Sequence, residues 1–324
     1  MSRVLITGGC GFIGSHLVEL CVARGFDVVA FDRYNPNNDW GWLDKSEYKD
    51  DIEVILGDVR DYDSVSKAMA GCGVVFHLAA LIGIPYSYVS PLAYVRTNVE
   101  GTYNMLEAAK NLGVDQILIT STSETYGSAQ YIPIDEQHPL VGQSPYSATK
   151  IAADQLAISY YRSFDLPVKV VRPFNTYGPR QSARAVIPTV ISQVQAGKKN
   201  IELGNLNPTR DLTFVKDTCS GFLEIYASEK LFGGVTNIGM NIEIPIGDLA
   251  EKIIGLMGSN TEIIQDQERV RPGQSEVDRL VCNNGKILKR TEWKPEYDLD
   301  KGLKETINWF KETDNIYKSQ IYNV

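Results

Sequence analysis

Short apolar runs rich in Val, Ile and Leu alternate with longer amphipathic stretches through the first half of the chain. The runs at 3–8 (RVLITG), 27–32 (DVVAFD), 52–58 (IEVILGD), 74–80 (VVFHLAA), 116–121 (QILITS) and 167–173 (PVKVVRP) have the length and β-branched content of strands. Between them, 12–25, 62–71, 98–113 and 146–164 carry apolar residues at helical spacing, the first of these closed by Gly25. Strands apolar throughout and separated by helices predict an α/β fold with a doubly wound parallel sheet, covered on both faces. After about residue 178 the pattern loosens. Helices are predicted at 185–197 and 214–230, short strands at 201–204 and 235–239, and a last helix at 301–318. This half reads as a smaller α/β subdomain interleaved with the first. The expected division is 1–178, with roughly 214–240, against roughly 179–213 and 241–324. A long Asn- and Trp-containing loop, 33–51, interrupts the early alternation.

Composition narrows the classes. With 324 residues the chain holds one large α/β unit or two subdomains. A formal charge of −8 argues against a nucleic-acid surface, though not against an anionic ligand, because local arginines can dominate a cleft. Cys10, Cys21, Cys72, Cys219 and Cys282 are scattered and show no CxxC spacing. Neither a disulfide framework nor a metal site is expected, and a reducing compartment is. The first strand starts almost at the first residue and no apolar run has membrane-spanning length. The expectation is a cytoplasmic protein without a membrane partner.

TGGCGFIG places Gly8, Gly11 and Gly14 between the first strand and the first helix. Glycine permits the tight turn and lets backbone amides, those of Phe12 and Ile13 among them, approach a diphosphate at the helix N-terminus. The spacing is GxxGxxG rather than GxGxxG, and Asp32 ends the second strand. A carboxylate there accepts hydrogen bonds from a ribose diol and repels a 2′-phosphate. These features point to a Rossmann-like fold that binds NAD in preference to NADP, with Arg33 keeping the second open. Asp58 and Val59, in GDVRD, lie where adenine would be contacted; the plainer role for Asp58 is to cap the next helix. Leu78, Ala79 and Ala80 end the fourth strand with the small residues that close packing on a cofactor needs, and His77 reads as structural.

YSATK puts Tyr146 and Lys150 four apart on one helical face. Lys150 can hold a ribose, and its charge can lower the phenol of Tyr146 toward a phenolate base. One segment earlier, STSETYG places Thr122, Ser123 and Glu124 directly after a buried strand. Taken alone, the triplet is also what a loop uses to satisfy its own backbone.

These motifs together, with NVEGT, RPFNTYGPR and RPGQSEVDRL, resemble the extended short-chain dehydrogenase/reductases that act on nucleotide sugars, over nearly the full chain. The resemblance implies that Asn98 joins the cofactor residues and that Asn175, Arg184, Arg210, Arg271, Glu276 and Ser87 bind the nucleotide sugar. Paired arginines suit a diphosphate. Arg184 could equally be a solvated helix-start residue, and Ser87 a turn serine. In that family a carboxylate at the position of Glu124 is similar to the 4,6-dehydratases and the UDP-glucuronate decarboxylases, whereas simple 4-epimerases usually carry small neutral residues there. The Thr-Ser-Glu triplet resembles GDP-mannose 4,6-dehydratases and the decarboxylases. dTDP-glucose 4,6-dehydratases have Thr-Asp-Glu, so Ser123 removes a dedicated acid.

The implied reaction is a hydro-lyase step: NAD-dependent oxidation at C4, loss of water across C5 and C6, and hydride return to C6. NDWGWLD and SARAVIPTVISQ look like a bacterial subgroup linked to legionaminic-acid-type sugars, acting on GDP- or UDP-N-acetylglucosamine. The alternatives are the decarboxylase, the 4-epimerase and a non-catalytic NAD-sensing binding protein. Trp40 and Trp42 could be loop packing or a subunit contact. The family likeness also implies a homo-oligomer, a dimer or higher, built through helices near 92–112 and 146–164.

Overall fold

The computed structural model describes residues 2–313 and Tyr317. The strands, in chain order, are β1 (Arg3–Thr7), β2 (Asp27–Arg33), β3 (Ile52–Gly57), β4 (Val74–His77), β5 (Gln116–Thr120), β6 (Val168–Pro173), β7 (Asn175–Tyr177), β8 (Asn200–Leu203), β9 (Thr209–Phe214), β10 (Val235–Ile238), β11 (Glu243–Pro245) and β12 (Glu262–Gln265). The helices are α1 (Phe12–Ala23), α2 (Tyr62–Met69), α3 (Ile84–Val89), α4 (Pro91–Tyr94), α5 (Gly101–Leu112), α6 (Pro145–Phe164), α7 (Val186–Gln195), α8 (Val215–Ala227), α9 (Ile246–Leu256), α10 (Gly285–Arg290) and α11 (Leu299–Glu312). Seven strands form one sheet in the order β10-β6-β5-β4-β1-β2-β3, every neighbouring pair parallel. This is the doubly wound, Rossmann-like sheet that the apolar runs predict.

The central strand shows why the sheet needs cover on both sides. Val4, Leu5 and Ile6 pair with Val28–Ala30 on one flank and Val74–Phe76 on the other, and all three are fully buried. Val4 and Ile6 join the core beneath α1, α8 and α11, while Leu5 joins the core beneath α2, α5 and α6.

Several boundaries differ from the pattern reading. β4 stops at His77, because Leu78 already bends to donate to the Thr7 carbonyl. The helix expected from 98 starts at Pro91 and passes through a π-helical turn, Val95–Glu100, before α5 ends at left-handed Gly113. The 33–51 loop holds two short 3₁₀ turns, Gly41–Lys45 and Lys49–Asp51, and Trp42 packs edge-on against Trp309 at 5.4 Å. β7, β9 and β11 form a second sheet, and β8 with β12 a third. The strands β7, β11 and β12 are missing from the pattern reading because they are short, and β9 because its charged TRDLTF run is neither apolar throughout nor alternating. Of the predicted last helix, residues 314–316 and 318 lie outside the described residues. No helix among the described residues is long and apolar enough to cross a membrane.

α6 starts with Pro145 behind a reciprocal cap between Ser144 and Ser147. Its interior carries Asp154, which pairs with Arg172 of β6 at 2.6 Å; the side chains are 0% and 1% exposed. Ser121, just past β5, donates to the same carboxylate oxygen at 2.6 Å, and the Arg172 guanidinium lies over the Tyr126 ring at 4.5 Å. Removing one partner of such a pair strands the other charge in the interior. Arg172→Met is therefore expected to destabilise the fold by about 3–5 kcal/mol. Urea unfolding by linear extrapolation measures this, and a loss below about 1 kcal/mol contradicts it.

Candidate active site

The turn after β1 is set by sterics. Gly8 has φ of +69°, and a Cβ on it would meet the Ala79 backbone at 3.0 Å; one on Gly14 would lie 2.0 Å from the Gly8 carbonyl oxygen. The loop can therefore pack against the end of β4 only as glycine. α1 then begins at Gly11 with no side-chain cap. A Cβ at Gly11 would meet nothing closer than the Gly8 oxygen, at 3.2 Å. The first amides of α1, those of Phe12, Ile13 and Gly14, thus face a cradle that suits a diphosphate.

The rim of this cradle is held by polar groups. Ala79 N donates to Thr7 Oγ1 (3.1 Å), which faces His77 Nδ1 (2.8 Å). His77 Nε2 faces Thr102 Oγ1 (3.2 Å), and that hydroxyl donates to the Asn98 carbonyl. The chain of donors requires the Nε2–H tautomer. Burial pushes the imidazole down to about 3, the Lys150 charge adding to it, so His77 is a neutral structural residue. Asn98, in the π-helical turn, exchanges both amide hydrogen bonds with Leu81 and donates to Thr149 Oγ1. It clamps the loop that carries Leu78, Ala79 and Ala80 onto α6.

Asp32 accepts from the amides of Cys10 (2.8 Å) and Arg33 (2.7 Å), which fixes its carboxylate at the loop. Asp58 is gripped by Arg60, whose hydrogen bonds hold its carboxyl below the usual range. The cap of α2 is Asp61, so the plainer role foreseen for Asp58 falls to its neighbour. Val59 is buried and accepts from Asn104 through its carbonyl.

Tyr146 and Lys150 lie on the buried face of α6. Burial raises the Tyr146 phenol, the Thr122 hydroxyl that hydrogen-bonds it lowers it, and the Glu124 charge raises it again. Burial also pulls Lys150 down to about 8, with Asp154 opposing. Lys150 Nζ donates to the Thr120 carbonyl at 2.5 Å. Burial is thus the largest influence on both members of the pair. Thr122 caps the short 3₁₀ turn Ser123–Tyr126, accepting from Glu124 N at 3.3 Å. Ser123 is buried in that turn, and Glu124 is partly exposed.

Glu124 acts electrostatically on both Tyr146 and Arg210, which ties the α6 pair to the second sheet. Arg210, on β9, donates to the Val277 carbonyl at 2.8 Å and meets Glu276 at 3.4 Å. Glu276 also meets Arg271 at 3.6 Å. Burial lowers Arg210, Glu124 and Glu276 support its charge, and Arg271 opposes it. Asn175 on β7 has a buried Oδ1 without a hydrogen-bond partner. Arg184 lies beside Gly83 and Tyr94. Ser87 is fully buried, its hydroxyl donating to the Ile84 carbonyl.

Sequence reasoning passed over several residues. Tyr94 packs edge-on against Tyr146 at 6.2 Å and bonds the Gly83 carbonyl. Gln143 donates to the carbonyls of Gln274 and Glu276, tying the Arg271 segment to the start of α6. Arg172 had a readable signal, a charge inside the apolar run of β6. Tyr94 and Gln143 had none.

The family model described as GDP-mannose 4,6 dehydratase matches residues 5–306. The chain is 33% identical to the UDP-N-acetyl-alpha-D-glucosaminuronate decarboxylase of Bacillus cytotoxicus, covering 97% of this chain and 99% of that one. It is 32% identical to the dTDP-glucose 4,6-dehydratase of Streptomyces antibioticus, covering 96% and 92%. Among solved structures, DesIV, a dTDP-glucose 4,6-dehydratase from Streptomyces venezuelae with NAD and TYD bound, superposes with a TM-score of 0.89 at 27% identity, covering 97% and 98%. UDP-glucose 4-epimerases of the same fold match as well.

The clamp at Asn98 is open to test. Asn98→Ala leaves the Leu81 amide and carbonyl unpaired, an expected cost of roughly 1–3 kcal/mol. Hydrogen exchange should speed up over residues 78–83 while β1 keeps its protection. Unchanged exchange there would show that the loop is held by other contacts.

Proposed function

The chain belongs to the GDP-mannose 4,6-dehydratase family, and on that premise we propose that it is a NAD-dependent nucleotide-sugar 4,6-dehydratase. The observation that carries this reading is Glu124: a carboxylate on the turn that Thr122 caps, whose charge bears on both Tyr146 and Arg210. An epimerase has no use for a base at that place, whereas water elimination does. NAD is held by the glycine cradle, Asp32 and the Asp58–Val59 corner, with Asn98 acting through the loop it clamps. When bound, it supplies reversible hydride acceptance.

The chain's own groups do the rest. Tyr146 takes the proton of the C4 hydroxyl, and Thr122 hydrogen-bonds the C4 oxygen as it becomes a ketone. Because burial favours the neutral phenol, Tyr146 works as a base only while Lys150 is charged beside it. The ketone acidifies the hydrogen on C5. Glu124 removes that proton and, since Ser123 offers no second carboxyl, delivers it to the C6 hydroxyl, which leaves as water. Arg210, Arg271 and Glu276 hold the diphosphate and ribose, Asn175 the sugar–diphosphate, and Arg184 the sugar end; Ser87, fully buried with its hydroxyl donated to the Ile84 carbonyl, is the turn serine of that loop instead of a sugar contact.

Residues 1–178 with roughly 214–240 form the NAD half, and roughly 179–213 with 241–324 the nucleotide-sugar half. The pairing of β10 with β6, of β11 with β9 and of β12 with β8 supports that division, while β7, at the end of the first segment, crosses it to pair with β9. The preferred substrate is GDP- or UDP-N-acetylglucosamine, in a legionaminic-acid-type pathway; the NDWGWLD and SARAVIPTVISQ stretches support this narrower reading. The enzyme is cytoplasmic, in line with five free, buried thiols. It pairs into a dimer through α4, α5 and α6, where Leu92, Val95, Tyr103, Tyr161 and Phe164 are exposed. A second reading, decarboxylation of a nucleotide-linked uronic acid, is favoured by the decarboxylase relative and by Arg184, a cation beside Tyr94.

Incubation of the NAD-loaded protein with GDP- and UDP-N-acetylglucosamine should give a product lighter by one water. Loss of carbon dioxide from a uronic acid analogue, with neither N-acetylglucosamine converted, would establish the second reading instead. Glu124→Gln should lower turnover by about 10²–10⁴-fold. It should also leave a 4-keto sugar that retains its C6 oxygen and takes up solvent deuterium at C5 only slowly. Near-parental release of the 4-keto-6-deoxy product by this variant would remove Glu124 from the mechanism.

A further inference from the structure

Asp154 lies one turn beyond Lys150 on α6, so both project from one side of the helix. It is fully buried, and only one of its oxygens is engaged. Oδ2 accepts from Ser121 Oγ and from Arg172 Nη2, each at 2.6 Å, while Oδ1 has no hydrogen-bond partner. An arginine–carboxylate pair built for stability uses both oxygens in a fork. Here the second oxygen is left open in the interior, where an unused acceptor is costly and calls for a reason.

The reason lies in what surrounds Lys150. The charged or titratable groups around it are Tyr146 and Asp154 on α6, His77 on β4, Arg172 on β6 behind Asp154, and Glu124 on the turn after β5. His77 is neutral, and Glu124 faces Tyr146 and Arg210. Asp154 is the negative charge that bears on the Lys150 ammonium.

We propose that Asp154 is a positioning residue of this site: its carboxylate, one helical turn from Lys150, supplies the buried counter-charge of that ammonium, while Ser121 and Arg172 lock one of its oxygens and so fix the strand end that carries Thr122. This rests on the reading of Tyr146 and Lys150 as the oxidation pair. Burial already draws Lys150 down to about 8 with Asp154 in place. Lys150 loses its proton as the pH rises, so without Asp154 that loss moves to lower pH. Tyr146 then loses its cationic neighbour over part of the working range.

Asp154→Asn keeps the shape and removes the charge, but it leaves Arg172 buried without a partner. The double variant Asp154→Asn with Arg172→Met removes both buried charges and is the variant expected to fold like the parent. Lys150 is titrated directly, by NMR of ¹⁵N-lysine protein, its signal assigned by Lys150→Arg. The expected result is a midpoint lower by about one pH unit in the folded double variant, a roughly tenfold loss of charged Lys150 at fixed alkaline pH. The alkaline limb of turnover should move with it. An unmoved Lys150 midpoint in the folded double variant overturns the proposal and leaves Asp154 as a plain structural partner of Arg172. The titration needs no substrate, so it stands apart from the dehydratase reading. A shifted midpoint with no water loss from any nucleotide sugar would sink that reading and keep the counter-charge.

Discussion

The site hangs on one buried ion pair. Arg172 belongs to β6, Asp154 to α6, and Ser121, which shares the carboxylate, follows β5. Tyr126, under the guanidinium, belongs to the turn that carries Glu124, and its hydroxyl reaches Asn237 on β10. One interaction therefore joins the strand end, α6 and the triplet-bearing turn. Buried pairs of this kind bring little net stability, because desolvation offsets most of their attraction. What the pair brings is a fixed relation between the strand end at Thr122 and the helix that carries Tyr146.

The cofactor side follows a different logic, exclusion rather than attraction. The glycines after β1 are there because side chains would collide with the loop's own backbone and with the end of β4. Once the loop is pressed that close, Thr7 can reach Ala79 N and His77, and Asn98 can reach Leu81. The polar chain from Thr7 to Asn98 is a consequence of tight packing, since amides buried there need partners.

This difference decides what could be read in the sequence. Steric necessity leaves a local signature, so TGGCGFIG and the apolar strands announced the sheet and its loop. The Tyr146–Lys150 spacing was legible because one helix carries both. The Arg172–Asp154 pair was not read, since its members lie on separate elements and only the sheet order brings them together. The depth at which Tyr146 and Lys150 are buried was not legible for a related reason. Spacing reveals that two groups are neighbours but says nothing of how deeply they are buried, and burial is the largest influence on both.

The nucleotide end shows why the reaction class was easier to read than the substrate. Arg210 is held from behind by the carbonyls of Thr209 and Val277, so little ordering remains when an anion arrives. Arg271 sits on a segment with only two single-turn 3₁₀ helices, Gln267–Arg269 and Gly273–Ser275, and reaches Glu276 no closer than 3.6 Å. Arg210 thus lies on the side of Glu124, and Arg271 on the more exposed segment. Such a division suits a fixed chemistry on a diphosphate whose remaining parts vary. Selectivity set by backbone and loop shape is what a sequence shows least, because residue types there carry the least information.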